Sequence, residues 1–212
     1  MKKLWQKKIE TDAFIEQFTT GNDPMFDLEL APFDVLGSLA HIQMLNSVGL
    51  LKDEEYKILA KNLRDIYKTI ASGNFKIEDG IEDVHSQIEL QLTQKLGDIG
   101  KRIHAARSRN DQVLVDLKLF YRAELEKILN ATQTLFETYL AQSEKYKDVI
   151  LPGYTHTQIA MPSSFGLWFG AYAETLCDDA HFLLAAYNVV NQNPLGSAAG
   201  YGSSLPIDRA LT

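Results

Sequence analysis

Apolar side chains recur along this chain at intervals of three and four residues, the spacing that places them on one face of a helix. Phe33, Leu36, Leu39, Ala40, Met44 and Val48 form the first such series, and Gly49 supplies a stop. A second helix is predicted to begin near Asp53 as its N-cap, to carry Tyr56, Leu59, Leu63, Ile66, Tyr67 and Ile70 on one face, and to end before Gly73. These two are expected to pair as a helical hairpin. Glu82-Asp83-Val84-His85 opens a third helix that reaches Leu96 and is closed by Gly97, with acidic residues suited to its first turn. Residues 10–29 are irregular in pattern, and Gly21-Asn22-Asp23-Pro24 is a loop signal.

The longest series is Leu114, Leu117, Tyr121, Leu125, Ile128, Thr132, Leu135 and Tyr139, with a mean step of about 3.6 residues, the helical period. It predicts a helix from Asn110 to Lys147, roughly 55 Å long at 1.5 Å per residue. A helix of that length implies an extended bundle or a helix crossing between subunits. Leu151-Pro152-Gly153-Tyr154-Thr155-His156-Thr157-Gln158 interrupts the pattern, and another long helix is expected from Pro162, with Phe165, Phe169, Tyr172, Leu176, Leu183 and Tyr187 on its apolar face. Gly166 and Gly170 on that helix would let a neighbouring backbone approach closely. The segment from Asn193 to Ser204 is a Gly/Ser-rich loop of the kind that often carries function. No strand pattern of comparable length and no internal repeat is evident, so the sequence reads as all-α.

Composition narrows the function without naming it. A chain of 212 residues with 45% hydrophobic and 23% charged positions has a globular composition. Twenty-one basic residues against 28 acidic ones leave a formal charge of -7, which argues against a broad nucleic-acid surface. No apolar run is long enough for a membrane span. The basic N-terminus lacks the apolar run of a signal peptide. The single cysteine, Cys177, excludes an internal disulfide framework and fits a reducing, cytoplasmic compartment.

Against this acidic background one stretch is basic: Gly100 to Gln112 holds Lys101, Arg102, His104, Arg107 and Arg109 at the start of the longest helical pattern. Two readings fit, an anion site at a helix N-terminus or a solvated basic loop. A P-loop is absent, Gly196-Ser197-Ala198-Ala199-Gly200 lacks the Gly-x-Ser-x-Gly form of a hydrolase elbow, and His41, His85, His104, His156 and His181 have no metal-motif spacing. No metal is therefore expected. What remains is a loop-borne polar set: Arg107, Ser108, Arg109 and Asn110, then Tyr154, Thr155, His156 and Gln158, then Ser197. Arg109 and Asn110 offer directional donors for a carboxylate, Thr155 a hydroxyl, and His156 a group titrating near neutrality. Such a set suits a small polyanionic substrate and proton transfer.

These same residues carry a resemblance. Glu82-Asp83-Val84-His85, Gly100-Lys101-Arg102-Ile103-His104, Arg107-Ser108-Arg109-Asn110-Asp111-Gln112-Val113, Pro152-Gly153-Tyr154-Thr155-His156-Thr157-Gln158 and Pro194-Leu195-Gly196-Ser197 resemble consecutive blocks of the argininosuccinate lyase family. Lys3-Leu4-Trp5 and Asp34-Val35-Leu36-Gly37-Ser38-Leu39-Ala40-His41 match its N-terminal blocks. The resemblance implies a member of the fumarase/aspartase superfamily, homotetrameric around a central bundle of long helices, that splits argininosuccinate into arginine and fumarate without a cofactor. It implies a small N-terminal helical domain over 1–108, followed over 109–212 by the first long helices of that bundle. By the family pattern Ser108, Arg109, Asn110 and Thr155 contact the substrate, His85 lies nearby, Asp27 belongs to a substrate-closing loop, and His156 takes part in proton transfer.

The chain departs from the pattern at several places. Gln6-Lys7-Lys8 stands for Gly-Gly-Arg, Ala105-Ala106 for Thr-Gly, and Thr157, Ile159 and Met161 for Leu, Arg and Gln, while Gly21 or Asp23 occupies the place of a substrate-binding serine. Length is the larger departure, since the resemblance implies a protein about twice as long, with a signature loop carrying the serine base beyond Thr212. The expectation is thus a fragment, inactive alone. A related lyase such as adenylosuccinate lyase and a crystallin-like non-enzymatic relative are the alternative readings.

Overall fold

The computed structural model describes residues 13–196 and 198–212. The Lys3-Leu4-Trp5 block, the Gln6-Lys7-Lys8 departure and Ser197 lie outside the described residues. The chain packs as two compact units, 1–120 with 193–212 and 121–192. Among the described residues it is helical as expected, apart from one two-stranded antiparallel hairpin. Among the described residues no helix is long and apolar enough to cross a membrane.

The first unit holds α1 (Ala13–Thr20), α2 (Asp23–Ser47), α3 (Asp53–Ala71), α4 (Val84–Leu96), α5 (Asp98–Lys101), a 3₁₀ turn over Arg102–His104, and the beginning of α6 (Arg109–Lys145). The irregular stretch expected over 10–29 is instead helical from Ala13, broken only around Gly21 and Asn22. Pro24 sits in the first turn of α2, where its missing N–H removes no intrahelical bond, so the loop signal is a helix start. The α2–α3 hairpin forms as predicted. Gly49, at φ +77°, reverses the chain, and the N–H groups of Leu50 and Leu51 both return to the Leu45 carbonyl at 2.9 and 3.0 Å. The N-cap of α3 is Lys52 rather than Asp53. Asp53 lies in the first turn, where its carboxylate meets the helix dipole and accepts from Asn46 Nδ2 at 2.7 Å.

The core of this unit joins Val35, Ile42, Met44 and Leu45 of α2 to Leu59, Leu63 and Ile66 of α3 and to Val84, Ile88 and Leu92 of α4, each at most 2% exposed. Each such side chain stabilises the fold by about 1.5–3 kcal/mol relative to exposure. The inward face of α2 is not the apolar series alone. Leu36 is 44% exposed, whereas Asp34, Ser38 and His41 are buried. Such a polar face can be buried when each side chain finds at least one partner, as Asp34, Ser38 and His41 do.

The second unit contains the rest of α6, β1 (Ile150–Thr155), β2 (Gln158–Ser164) and α7 (Phe165–Val190). Pro162, expected to start a helix, instead pairs with Pro152 across the hairpin. Neither proline has an N–H to donate, which a two-stranded ribbon tolerates because both strands are edges. The helix starts three residues later, where the Ser164 hydroxyl accepts the Leu167 N–H at 3.1 Å. α7 lies along α6 through rings: Tyr139 stacks on Tyr172 with centroids 5.6 Å apart, and Tyr146 and Phe169 continue the seam.

The two glycines of α7 play different parts. A Cβ on Gly166 would stand 2.5 Å from Lys147 Cα and 2.8 Å from the Ser143 carbonyl, both backbone atoms, whereas one on Gly170 would stand 3.5 Å from Ser143 Oγ, an ordinary contact. Gly166→Ala is therefore expected to destabilise the protein by about 1–3 kcal/mol. Gly170→Ala should be neutral or stabilising by up to about 1 kcal/mol through helix propensity. Urea denaturation of the two variants checks the contrast.

Candidate active site

The first turn of α4 gathers the groups. Asp83 is its N-cap, accepting the Ser86 N–H at 2.7 Å. Asp27, from α2, accepts the Val84 N–H at 3.2 Å through Oδ2. Both carboxylates thus satisfy N–H groups that the helix start leaves orphaned. Arg109 reaches the same turn: its guanidinium pairs with Asp83 and donates to Ser86 Oγ at 3.2 Å from both Nη1 and Nη2. His85, the second residue of α4, turns inward. Asp27, His85 and Arg109, far apart in sequence, therefore meet at one helix end. Half-burial raises the Asp27 carboxyl above its ordinary range, against the opposing pull of the Val84 N–H and His85.

The start of α6 is also built locally. The Ser108 hydroxyl accepts the Asn110 N–H at 3.0 Å while Asp111 accepts the Ser108 N–H at 2.9 Å, a reciprocal arrangement like a capping box. Asn110 is exposed at this end, and Ser108 half-buried. Three other cations of the basic stretch have partners within the fold. Lys101 pairs with Asp98 and Arg102 with Glu55, each at 2.8 Å. Arg107 is buried and donates to Ser38 Oγ at 3.1 Å.

The segment from Ala105 to Gln112 is tied to α2 at three points. His41 Nε2 donates to the Ala105 carbonyl at 2.7 Å, Ser38 takes Arg107, and Asp34 accepts from Gln112 Nε2. Residues 34, 38 and 41 follow the i, i+4, i+7 spacing of one helix face. Between the first two ties Ala106 is held at φ +58°, a left-handed conformation that costs a non-glycine residue about 1–2 kcal/mol. The resemblance has glycine there.

Beneath His85 lies a cluster that the sequence reading did not single out. His85 Nδ1 is 3.3 Å from Asp34 Oδ1 and 3.5 Å from Asp116 Oδ2, ion-pair distances at which it is not aligned for a hydrogen bond. Burial pushes Asp34 up, but His85, Arg107 and Gln112 together outweigh it and hold the carboxyl below its ordinary value. Asp116 goes the other way, pushed up to about 9 by burial and by the neighbouring Asp34 charge. Burial and the Arg107 charge take His41 down to about 4. Asp34, His85 and Asp116 each direct one donor atom into a space where these atoms lie within 4.8 Å of one another, the grouping a cation would need. The Gln112 amide already occupies Asp34 Oδ1, and Arg107 places its positive charge against both carboxyls.

Thr155 and His156 lie in the second unit, at the hairpin turn, and both are exposed. His156 and Thr157 form its two-residue loop with φ +49° and +63°, positive at both positions as a type I′ turn requires. A β-branched residue at such a φ is an outlier, so the turn that presents His156 is strained.

The lyase family profile matches residues 6–212. The chain belongs to the lyase family. It is 61% identical over 210 residues to an argininosuccinate lyase of Phocaeicola vulgatus and 60% identical to one of Bacteroides fragilis, in each case covering 99% of this chain and 47% of the relative. The chain thus spans about half the length of the curated relatives it matches. Among solved structures it resembles an EDDS lyase in complex with formate, with a TM-score of 0.75 at 25% identity over 86% of this chain and 36% of that one.

For this lyase chain the His41 tie has a measurable sign. The ring takes a proton at 6.5 when unfolded and at about 4 when folded. Between those values the unfolded state binds more protons, so stability is present above 6.5 and is lost as pH falls toward 4. The shift is worth about 3 kcal/mol. Urea denaturation of the full-length protein and its His41→Gln variant near pH 7 and pH 4.5 should show the variant losing less stability on acidification by about 2 kcal/mol, the part of the shift that falls between those pH values.

Proposed function

We propose that this chain forms part of an argininosuccinate lyase, which eliminates fumarate from argininosuccinate to leave arginine, and so serves arginine biosynthesis. The observation that carries the proposal is the gathering of Asp27, His85 and Arg109 at the first turn of α4, beside Ser108 and Asn110. Identity of about 60% over nearly the whole chain to argininosuccinate lyases supports the substrate.

In this reading Arg109 presents a planar pair of donors to a substrate carboxylate, with Asn110 and Ser108 beside it. Removing the proton next to a carboxylate builds a dianionic aci-carboxylate, so donors fixed at that position bind the transition state more strongly than the substrate. Thr155 supplies a further hydroxyl contact. His156, held out on its strained turn, takes part in the proton transfers that accompany departure of the guanidino nitrogen.

The same reading gives the long helices a role. Leu114, Tyr121, Ile128 and Leu135 recur every seven residues along α6 and are 45–49% exposed. A heptad stripe of this kind is the seam of a helix bundle. We assign 1–108 to a small helical domain and 109–212 to such a bundle, shared among the subunits of a cytoplasmic homotetramer whose active sites draw on more than one subunit.

Following fumarate by its ultraviolet absorbance tests the proposal. The full-length protein should release it from argininosuccinate, and His156→Asn should lower kcat by about 10²-fold or more. Turnover of adenylosuccinate in preference to argininosuccinate overturns the substrate. A His156→Asn variant within a few-fold of the parent removes the histidine from acid/base work.

A further inference from the structure

The buried cluster beneath His85 has an imbalance of charge and of donors. Asp34 and Asp116 are both fully buried, and their oxygens lie within 4.8 Å of one another. Two carboxylates that close, out of water, cannot both ionise without matching positive charge. Arg107, itself buried, supplies one.

The donors fall unequally on the two acids. Asp34 Oδ1 accepts from the Gln112 side-chain amide and is the oxygen nearest His85 Nδ1, at 3.3 Å. Both oxygens of Asp116 are buried without a hydrogen-bond partner, against one, Oδ2, of Asp34. A negative charge is stable where N–H donors converge, and an acid proton where an anion stands ready to accept it. We propose that Asp34 is the buried anion and Asp116 a neutral acid, and that the Asp34 charge, 3.3 Å from His85 Nδ1, makes it the positioning residue that favours the Nδ1–H tautomer and leaves the Nε2 lone pair for the ligand.

This deepens the lyase reading and rests on it for the identity of the ligand. A neutral His85 adds an acceptor to the first turn of α4 rather than a second cation beside Arg109. The pair then selects a molecule that carries a carboxylate together with an N–H donor, as argininosuccinate does. Asp34 also borders both halves of that recognition, because the same oxygen stands 3.3 Å from His85 Nδ1 on α4 and accepts from Gln112 on α6. An ion-pair reading, with His85 protonated between two carboxylates, predicts the opposite: a cation with no lone pair to offer.

Nitrogen-15 NMR of histidine-labelled full-length protein at about pH 8 distinguishes the two, because the protonation state of each ring nitrogen is resolved separately once His85 is assigned with His85→Gln. The parent should show a neutral His85 protonated on Nδ1. Asp116→Asn, a neutral-for-neutral exchange, should keep that tautomer, and should remove a carboxylic-acid carbonyl band from the infrared spectrum of the parent. Asp34→Asn should lose the tautomer preference and lower kcat by about tenfold or more. An Nε2–H tautomer or a doubly protonated ring in the parent overturns the proposal, as does an acid band that survives in Asp116→Asn. If Asp34→Asn does not fold, the parent tautomer and the Asp116→Asn band decide. Failure to turn over argininosuccinate with the tautomer intact counts against the substrate and leaves the cluster standing.

Discussion

Three hydrogen bonds from one face of α2, made by Asp34, Ser38 and His41, fix the segment that leads into α6. Everything chemical in the first unit hangs on them. They set where Arg107 is buried and how α6 begins, and the start of α6 sets where Arg109 meets Asp83 and Ser86. Through Asp34 the same face reaches His85, so α2 is the common support of α4 and α6. A helix is suited to this task because its side chains are spaced by a rigid backbone rather than by a loop.

The arrangement is expensive. Burying Asp34, His41, Arg107 and Asp116 together costs desolvation that apolar side chains of the same size would avoid. Ala106 adds backbone strain in the middle of the anchored segment. Offsetting contributions come from the apolar contacts of α2, α3 and α4 on either side, which hold the polar groups in place whether or not their own bonds are net favourable. Stability spent on orientation is what a site with fixed donors requires. The hairpin turn at His156 and Thr157 shows the same pattern in the second unit: side chains that glycine or asparagine would normally replace are kept at positive φ.

Much of this fold was legible in the sequence, and the misses have physical causes. Gly49, Gly73 and Gly97 marked the ends of α2, α3 and α4 because each adopts a positive φ that other residues resist. Scanning α2 for apolar residues alone selected Leu36, which faces outward, and passed over Asp34, Ser38 and His41, which face inward. The available signal was polar rather than apolar: an acid, a hydroxyl and an imidazole at helical spacing inside an apolar run. The hairpin was missed because its turn is His-Thr rather than Asn-Gly and both its strands contain proline. Ser108, Arg109 and Asn110 stood out as a loop-borne polar set and Asp27 came through family resemblance; the structure brings Asp27, His85 and Arg109 to one end of α4, and Ser108 and Asn110 to the start of α6 beside Arg109. Asp116 was not named, since a lone acid in the second turn of a long helical pattern looks like a solvated side chain until its neighbours are placed.

Hydrogen exchange read by mass spectrometry on the full-length protein tests most directly whether α2 is the support of the site. In Ser38→Val, which removes the hydroxyl that holds Arg107, exchange should quicken across 105–112 and the first turn of α4 while α3 keeps its protection. Unchanged exchange over 105–112, or an equal rise throughout α2, α3 and α4, would contradict that account.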